Sequence, residues 1–192
     1  KKHFLHEATY NQEEVYEATK IMASTFVTMG KKVKKFENEY SRNNKSDFSL
    51  MCNSGSSANL LMISTIMSKM NKLGLKKNDE VIVPSLSWST TVWPIIQCGL
   101  IPVFVDCDPQ TYNLDIEKLN RSISKKTKAI LLVHVYGNPC EMDKIEKICK
   151  KHKLILLEDC CEAMGAKFKG KNVGNFGLIS SFSLYFSHHI TS

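Results

Sequence analysis

The chain has 192 residues, of which 43% are apolar and 23% are charged, and its formal net charge is +7. This composition is typical of a globular protein and excludes a disordered or fibrous chain. The sequence contains no run of about eighteen apolar residues, as a membrane-spanning helix requires, and its first residues lack the apolar core of a signal peptide. We therefore expect a cytoplasmic protein with no membrane partner.

The positive charge comes from lysines that are scattered along the chain or cluster on predicted helix faces, as at 31–35 and 150–151. Aromatic residues do not alternate with these lysines, as they would on a surface that stacks nucleic-acid bases. Solvated helix faces account for them, so we predict no nucleic-acid partner. Binding of nucleic acid remains an alternative that rests on the net charge alone.

The seven cysteines are odd in number and include no C-x-x-C pair. Metal-ligand spacing is therefore absent, and we predict no metal site. Several of the cysteines lie in apolar segments, where cysteine behaves as a small apolar residue, and this usage fits a reducing compartment.

The first predicted elements are two helices. Asn11 and Glu14 have the spacing of a capping box, and apolar residues then recur with helical period as far as Phe26, with Gly30 as a suitable end. A second amphipathic segment runs from Val33 to Tyr40. Residues 43–46 are predicted to form a loop.

The rest of the chain alternates between apolar strand-like segments and helical segments. The predicted strands are 49–52, 81–83, 101–105, 129–135, 154–157 and 179–184. The predicted helices are 56–72, 90–98, 114–123 with Asn113 as a possible cap, and 141–152. Such alternation predicts an α/β fold with a mainly parallel sheet and helices on both faces, whose ligands bind at the carboxyl ends of the strands.

Polar residues follow the first two of these strands. The turn at 53–59 contains Gly55, Ser56 and Ser57 directly before a helix, which favours a phosphate site, although a serine-capped helix explains it equally well. Trp88 follows the second strand and could stack on a planar ring, or it could cover the sheet edge as a core residue.

The last two strands are followed by titratable residues. Asp159 ends a buried strand and suits a protonated pyridine nitrogen, with Glu162 three residues on; a helix cap or an Arg/Lys partner is the alternative. Ser183 could add a hydroxyl to the phosphate site. His188 and His189 suggest proton transfer, or they are structural or solvated; joint metal binding is not expected because adjacent side chains point apart.

Taken in chain order, the residues after these strands resemble those in the large domain of the fold-type-I, aspartate aminotransferase-like enzymes that depend on pyridoxal 5'-phosphate (PLP). The chain specifically resembles the DegT/DnrJ/EryC1/StrS family of sugar aminotransferases, and the resemblance covers nearly all of it. The segments that carry the resemblance are 28–30 (TMG), 53–59 (NSGSSAN), 83–90 (VPSLSWST), 103–106 (VFVD), 158–166 (EDCCEAMGA) and 174–177 (GNFG).

The resemblance implies a role for each candidate residue. Gly55, Ser56 and Ser57 would hold the cofactor phosphate with help from Ser183. Trp88 would stack on the cofactor ring, and Asp159 would pair with the ring nitrogen with Glu162 nearby.

The family's covalent lysine falls where this chain has His188, as in the sugar 3-dehydratases of the family. We predict that His188 is the catalytic base, working with PLP or pyridoxamine 5'-phosphate (PMP), and that His189 is structural.

The resemblance further implies removal of the C3 hydroxyl from a nucleotide-linked 4-keto-6-deoxy sugar, with glutamate as amino donor and a homodimer as the assembly. An iron–sulfur-dependent CDP-sugar 3-dehydrase, a nucleotide-sugar aminotransferase and a non-catalytic fragment are the alternatives. Residues 1–45 are expected to form an N-terminal helical segment and 46–192 the PLP-binding large domain. Because the chain ends just beyond a strand, we expect a fragment without the small domain.

Overall fold

A computed structural model of the chain describes residues 10–68, 70, 73 and 75–188. In that part of the chain the helices are α1 (Gln12–Ala23), α2 (Lys31–Asn44), α3 (Gly55–Met67), α4 (Ser89–Gln97), α5 (Ile116–Arg121) and α6 (Met142–His152), with a short 3-10 turn at Val135–Gly137. The strands are β1 (Glu80–Pro84), β2 (Ile101–Val105), β3 (Thr127–Val133), β4 (Ile155–Asp159), β5 (Lys167–Phe168), β6 (Lys171–Asn172) and β7 (Ile179–Ser181).

Five strands form one sheet in the order β2-β1-β3-β4-β7, and every neighbouring pair is parallel. The short strands β5 and β6 pair antiparallel outside that sheet. The predicted α/β class with a mainly parallel sheet is therefore confirmed. Parallel order brings the carboxyl ends of all five strands to one edge, which is where ligands of such sheets bind.

Successive side chains of each strand point to opposite faces of the sheet, so both faces present apolar residues. Helices pack against each face. On one face Ile82, Ile130, Leu132 and Leu156 pack against apolar residues of α5 and α6. On the other face the strand residues pack against α3 and α4; this cluster includes Val81, Val83, Leu131, Leu157, Met62, Ile63, Ile66 and Ile95. Two separate apolar layers thus hold the sheet and fix the helices that begin at its carboxyl edge.

The N-terminal helices differ from the prediction in their bounds. The capping box at Asn11 and Glu14 is present, with Asn11 N–H donating to Glu14 at 2.7 Å. The first helix ends at Ala23, and Gly30 lies at the N-terminal cap of α2 rather than at the end of α1. The division of the chain at residues 45 and 46 remains a prediction.

The predicted strand at 49–52 is wrong. The segment is bound to Glu37 of α2 instead: the backbone N–H of Met51 donates to the Glu37 carboxylate at 2.8 Å, and the Ser49 side chain donates to the Glu37 carbonyl. The predicted last strand at 179–184 is shorter, since pairing with β4 stops at Ser181.

Two predicted helices also have different bounds. The helix expected at 56–72 is α3, which begins at Gly55 and ends at Met67, while residues 69, 71 and 72 lie outside the described part. Asp115 caps α5 through hydrogen bonds from two backbone N–H groups, so Asn113 is not the cap. Asn113 instead accepts from the backbone N–H of Val135 and joins two loops at the carboxyl edge.

Across the described residues no helix is both long enough and apolar enough to span a bilayer.

Candidate active site at the carboxyl edge of the sheet

Neighbouring strand ends bring three polar side chains to the middle of the carboxyl edge. Asp159, the last residue of β4, lies opposite Ser181 of β7 and opposite Val133 of β3, which His134 follows. Because consecutive residues of β4 point to opposite faces, Asp159 faces α3 and α4 while Glu158 faces the α6 side. Two distinct polar clusters form, one on each face of the same strand end.

Asp159 is buried and accepts hydrogen bonds from neutral donors. Asn59 Nδ2 and Thr91 Oγ1 each donate to Asp159 Oδ2 at 2.8 Å, and the backbone N–H of Cys161 donates to Oδ1 at 3.1 Å. No lysine, arginine or histidine of the described residues forms an ion pair with it. The alternative of an Arg or Lys partner therefore has no support within the described residues, and the site offers a buried anion to a cationic group.

Two helix N-termini meet beside this carboxylate. Ser54 caps α3 by accepting from the N–H of Ser57 at 3.1 Å, and Ser56 Oγ donates to Thr90 Oγ1 in the first turn of α4 at 3.0 Å. The helix itself provides no acceptor for the first-turn N–H groups, including those of Gly55 and Ser56. The positive ends of two helix dipoles thus face the same edge and favour an anion there.

Gly55 allows the start of α3 to approach the segment after β7 closely. A Cβ at this position would lie 2.9 Å from Cys161 Sγ and 3.0 Å from Ser183 Cβ. Ser183 is buried and its hydroxyl accepts from the N–H of Tyr185 at 3.1 Å. The structure therefore brings Gly55, Ser183 and the turn with Ser56 and Ser57 together; their binding of a phosphate remains a prediction.

Trp88 lies in the loop after β1, at the N-terminal cap of α4, and 74% of its surface is exposed. The alternative of a core tryptophan is therefore wrong. An aromatic ring held at a helix start but open to solvent is available to stack on a planar ligand.

Glu162 accepts a hydrogen bond from the backbone N–H of Tyr136 through Oε2 at 3.0 Å. Tyr136 has a φ of 52°, in the left-handed region that non-glycine residues seldom adopt, so this carboxylate stabilises an unfavourable turn after β3. The structure thus gives Glu162 a role in the neighbouring loop, and its part in cofactor binding remains a prediction.

Glu158, which sequence reasoning did not select, is the most fully bonded carboxylate of the edge. Its Oε1 accepts from the N–H groups of Phe176 and Gly177, and its Oε2 accepts from the N–H of Gly174 and faces His134 Nε2 at 3.1 Å. Burial by itself would raise the pKa of Glu158, but the hydrogen bonds from His134, Gly177 and Gly174 lower it below its ordinary value. Glu158 is therefore held as an anion that anchors the loop leading into β7.

His134 is locked in one tautomer by its neighbours. Its Nδ1 accepts the backbone N–H of Cys140 at 3.1 Å, so Nε2 carries the proton and donates to Glu158. His134, Glu158 and Cys160 bring possible metal-ligand atoms within 4.8 Å of one another. Because the oxygens and nitrogens are already hydrogen-bonded, we interpret the group as structural support.

His188 is half-buried and is the last described residue. Its backbone N–H donates to the Tyr185 carbonyl at 2.8 Å, and its ring meets the Tyr185 ring edge-on, with 5.6 Å between the centroids. This turn follows Ser183, so His188 extends from the same segment that packs on Gly55. Its role as a base remains a prediction, and His189 lies outside the described residues.

Sequence reasoning also missed Asn59, Thr91 and Ser181, which are buried around Asp159. The only signal was the presence of polar residues in apolar segments: Asn59 begins the Leu- and Met-rich part of α3, and Thr91 precedes the apolar part of α4. Such residues are also common in helices for other reasons, so the pattern could not assign them to Asp159.

Comparison with known proteins places this geometry in a family. The family model described as the DegT/DnrJ/EryC1/StrS aminotransferase family matches residues 8–192. The chain is 45% identical over 185 residues to a GDP-4-keto-6-deoxy-D-mannose 3-dehydratase of Yersinia pseudotuberculosis, covering 96% of the chain and 47% of that protein. It is 38% identical over 170 residues to a GDP-perosamine synthase of Escherichia coli O157:H7, covering 88% of the chain and 45% of that protein.

Solved structures show the same fold. The E. coli GDP-4-keto-6-deoxy-D-mannose-3-dehydratase with bound hydrated PLP superposes with a TM-score of 0.93 at 44% identity, covering 99% of this chain and 49% of that one. A histidine-to-asparagine variant of GDP-4-keto-6-deoxymannose-3-dehydratase with bound GDP-perosamine gives a TM-score of 0.94 at 43% identity, covering 99% and 49% of the two chains. The chain spans about half the length of the curated relatives it matches.

Proposed function

The chain belongs to the DegT/DnrJ/EryC1/StrS aminotransferase family, and we propose that the protein uses PLP and PMP to remove the C3 hydroxyl of a nucleotide-linked 4-keto-6-deoxy sugar. The observation that carries the proposal is a buried Asp159 without a cationic partner among the described residues, followed by histidine rather than lysine at position 188. The first half of this observation favours the cofactor, and the second half favours dehydration.

The residues at the carboxyl edge fit PLP. A protonated pyridine nitrogen supplies the cation that the buried Asp159 carboxylate requires. The cofactor phosphate suits the N-termini of α3 and α4 with the hydroxyls of Ser56 and Thr90. Trp88 is exposed at the same edge and offers its ring for stacking. An anion site, an anionic partner and an aromatic ring are thus present together.

When bound, the cofactor supplies an amine that condenses with the sugar ketone and a conjugated ring that accepts electrons. The side chains of this protein would divide the remaining tasks. Asp159 keeps the ring nitrogen protonated, Trp88 and the helix N-termini orient the ring and the phosphate, and His188 moves a proton between the cofactor carbon and the departing hydroxyl. A single positioned base of this kind contributes roughly 10²- to 10⁴-fold to the rate.

Histidine at position 188 favours dehydration over amino transfer. A lysine amine can bond covalently to the cofactor aldehyde and expel an aminated product, whereas the ring nitrogens of histidine form no stable bond of that kind. Relatives named as 3-dehydratases are 45% and 40% identical to the chain, and those named as GDP-perosamine synthases are 36% to 38% identical. We therefore rank the aminotransferase alternative lower.

The substrate, donor and assembly are proposed on the same basis. Among the structural relatives, one is described with GDP-perosamine and one with a trapped PLP-glutamate geminal diamine. We propose that a nucleotide-linked 4-keto-6-deoxy sugar is the substrate and that glutamate restores the amine form of the cofactor. A homodimer and a cytoplasmic location remain part of the proposal, and sedimentation of the purified protein tests the dimer.

The proposed reaction is balanced and can be measured. Glutamate is oxidised to 2-oxoglutarate, the C3 hydroxyl of the sugar is replaced by hydrogen with the C4 ketone retained, and ammonia is released. Purified protein is incubated with PLP, glutamate and either GDP- or CDP-linked 4-keto-6-deoxy sugar, and the products are identified by mass spectrometry. We expect equal amounts of 2-oxoglutarate, ammonia and deoxygenated sugar in the absence of any reductase.

The outcomes separate the alternatives. An amino sugar as the sole product indicates an aminotransferase and ends the dehydratase proposal. A product that forms only with an added reductase indicates the iron–sulfur type of 3-dehydrase. Absence of turnover together with absence of PLP binding favours the non-catalytic fragment.

A further inference from the structure

The Asp159 carboxylate accepts hydrogen bonds from α3, from α4 and from the turn after β4, and its two oxygens accept different numbers of them. Oδ2 accepts from Asn59 of α3 and from Thr91 of α4, whereas among the described residues Oδ1 accepts from the backbone N–H of Cys161, whose thiol also interacts with this carboxylate. A carboxylate oxygen has two lone-pair sites, so Oδ2 is saturated and Oδ1 has one left. This asymmetry directs any further donor to Oδ1.

We infer that Asn59 and Thr91 are positioning residues that saturate Oδ2 of Asp159 and so present Oδ1 to the protonated ring nitrogen of PLP, with Ser181 fixing the orientation of Asn59. The inference rests on the proposed function, because it assigns a ligand atom to the partner of the ring nitrogen. It adds residues of α3, α4 and β7 to those that control the cofactor.

The Asp159 carboxylate can only accept, so the Asn59 amide turns its nitrogen toward Asp159, and Ser181 holds the amide in that orientation by donating to its oxygen. The Ser181 hydroxyl donates to Asn59 Oδ1 at 2.6 Å, which leaves Nδ2 to donate to the carboxylate. The opposite orientation would set the amide oxygen against the carboxylate in a buried site, with no donor between them. The side chains of Asn59, Ser181 and Asp159 are all buried, so water cannot replace a hydrogen bond that is lost.

The donors also control charge. Asn59 and Thr91 are neutral, so they stabilise the charged form of the carboxylate without supplying the cation that would neutralise it. Two such bonds hold the carboxylate in place so that Oδ1 stays directed at the protonated ring nitrogen. The proton then stays on the ring, where it increases the electron-accepting capacity of the cofactor. Without the donors, the carboxylate can turn away, and the ring nitrogen is expected to be protonated less fully.

The test measures the protonation of the ring nitrogen directly. PLP labelled with ¹⁵N in the ring is bound to the wild-type protein and to the variants Thr91→Val, Thr91→Ser, Asn59→Leu and Ser181→Ala, and the ¹⁵N resonance is recorded at one neutral pH. Free PLP at low and high pH provides the reference resonances of the protonated and unprotonated ring. We expect the wild-type protein to show the protonated resonance.

The variants are expected to form a graded series. Thr91→Val and Asn59→Leu shift the resonance toward that of the unprotonated ring, and Ser181→Ala shifts it less, because Asn59 loses the donor to its Oδ1 but still donates to Asp159. Thr91→Ser keeps the hydroxyl and restores the wild-type resonance. The matched control is Thr127→Val, since Thr127 is also buried and donates to a carboxylate, that of Glu80 at 3.1 Å, at the opposite edge of the sheet. Ser180→Ala controls for Ser181, because Ser180 bonds the Gly174 carbonyl instead.

Each outcome decides the inference. A resonance that is unchanged in Thr91→Val, Asn59→Leu and Ser181→Ala overturns it and leaves the proposed function standing. A wild-type protein that binds no PLP defeats the proposed function itself. If Asn59→Leu fails to fold, Ser181→Ala and the Thr91 pair still decide, because they remove single bonds. A shift in Thr127→Val equal to that in Thr91→Val also overturns the inference, since it shows a general loss of packing.

Discussion

His134, the residue after β3, lies beside Glu158 of the neighbouring parallel strand β4, with 3.1 Å between Nε2 and Oε2. Both side chains are fully buried. The pair links the end of β3 to the loop at 174–177, whose N–H groups occupy the remaining positions around the carboxylate. That loop leads into β7 and then to Ser183 and His188. Glu158 thus supports the candidate active site from the face opposite Asp159.

Replacing Glu158 with Gln is expected to lower the free energy of unfolding by about 1–3 kcal/mol at pH 7, because buried N–H donors lose the charged oxygen that accepts from them. One carboxylate oxygen becomes an NH₂ group, which cannot accept the hydrogen bonds that this oxygen accepted from neighbouring N–H groups. Urea unfolding followed by circular dichroism measures the loss. Glu146→Gln is the control, because Glu146 is half-exposed in a surface ion pair with Lys171 and should cost at most about 1 kcal/mol.

The same pair predicts an acid dependence of stability. The hydrogen bonds lower the pKa of Glu158 in the folded protein below the ordinary value of about 4.3. The stabilisation is therefore present above that ordinary value and is lost as the pH falls through the lower folded value. Unfolding measured from pH 7 to pH 3 should show a smaller fall in stability for Glu158→Gln than for the wild-type protein. Equal slopes would contradict the assignment of an anionic Glu158.

His188→Asn is expected to lower turnover by at least 10²-fold with PLP binding retained, because a positioned base is lost. Turnover is measured as the 2-oxoglutarate released per protein molecule per unit time. His189→Asn is the comparison, and we expect it to keep most of the activity. Equal losses in both variants would undermine His188 as the base. His188→Lys should acquire some formation of amino sugar.

Trp88→Ala is expected to weaken PLP binding by about tenfold, since stacking of aromatic rings contributes about 0.5–1.5 kcal/mol beyond the area it buries. Trp88→Phe retains a ring and should lose less. Fluorescence or absorbance titration with PLP provides the measurement. Trp93→Ala serves as the control, because Trp93 is also exposed on α4 but lies one turn beyond its start. Similar losses for both tryptophans would argue against stacking by Trp88.

Gly55→Ala is expected to reduce PLP affinity by more than tenfold. The added Cβ would lie within 3.0 Å of Cys161 Sγ and Ser183 Cβ, so α3 must move away from the segment that carries Ser183. Gly30→Ala is the matched control: its Cβ would lie 2.9 Å from Phe26, but that side chain is exposed and can turn aside. Equilibrium titration with PLP distinguishes the two, and unchanged affinity in Gly55→Ala would refute the close approach.

Four cysteines of the folded protein are expected to resist alkylation. Burial raises the pKa of Cys140 to about 12 and that of Cys149 to about 11, and it raises the pKa of Cys160 and Cys161 as well. Thiolates are the reactive form, so these residues should remain unmodified by iodoacetamide at pH 8 in the folded protein. Peptide mass spectrometry after brief treatment tests this, with the urea-unfolded chain as the control. Rapid modification of Cys161 would show that the edge opens.

The sequence predicted the fold class because short strand-like apolar segments alternate with helical segments along the chain. It also located the strand ends, and therefore Asp159, Trp88 and Ser183, because chemistry in such folds lies at that edge. It could not assign Asn59 and Thr91 to Asp159, since those contacts join positions 100 and 68 residues apart. The strand expected at 49–52 was wrong: the backbone N–H of Met51 donates to the carboxylate of Glu37 in α2 instead of to a neighbouring strand.

Glu158 and Asp159 are consecutive, yet one supports the loop before β7 and the other faces α3 and α4. A shift of β4 by a single residue would exchange the two carboxylates between the faces of the sheet. The shorter side chain would then lie under the loop, and the longer one would project into the site. Insertions or deletions within this strand should consequently reduce stability and activity far more than substitutions do. Correct alignment of one short strand is a requirement shared by folding and by chemistry.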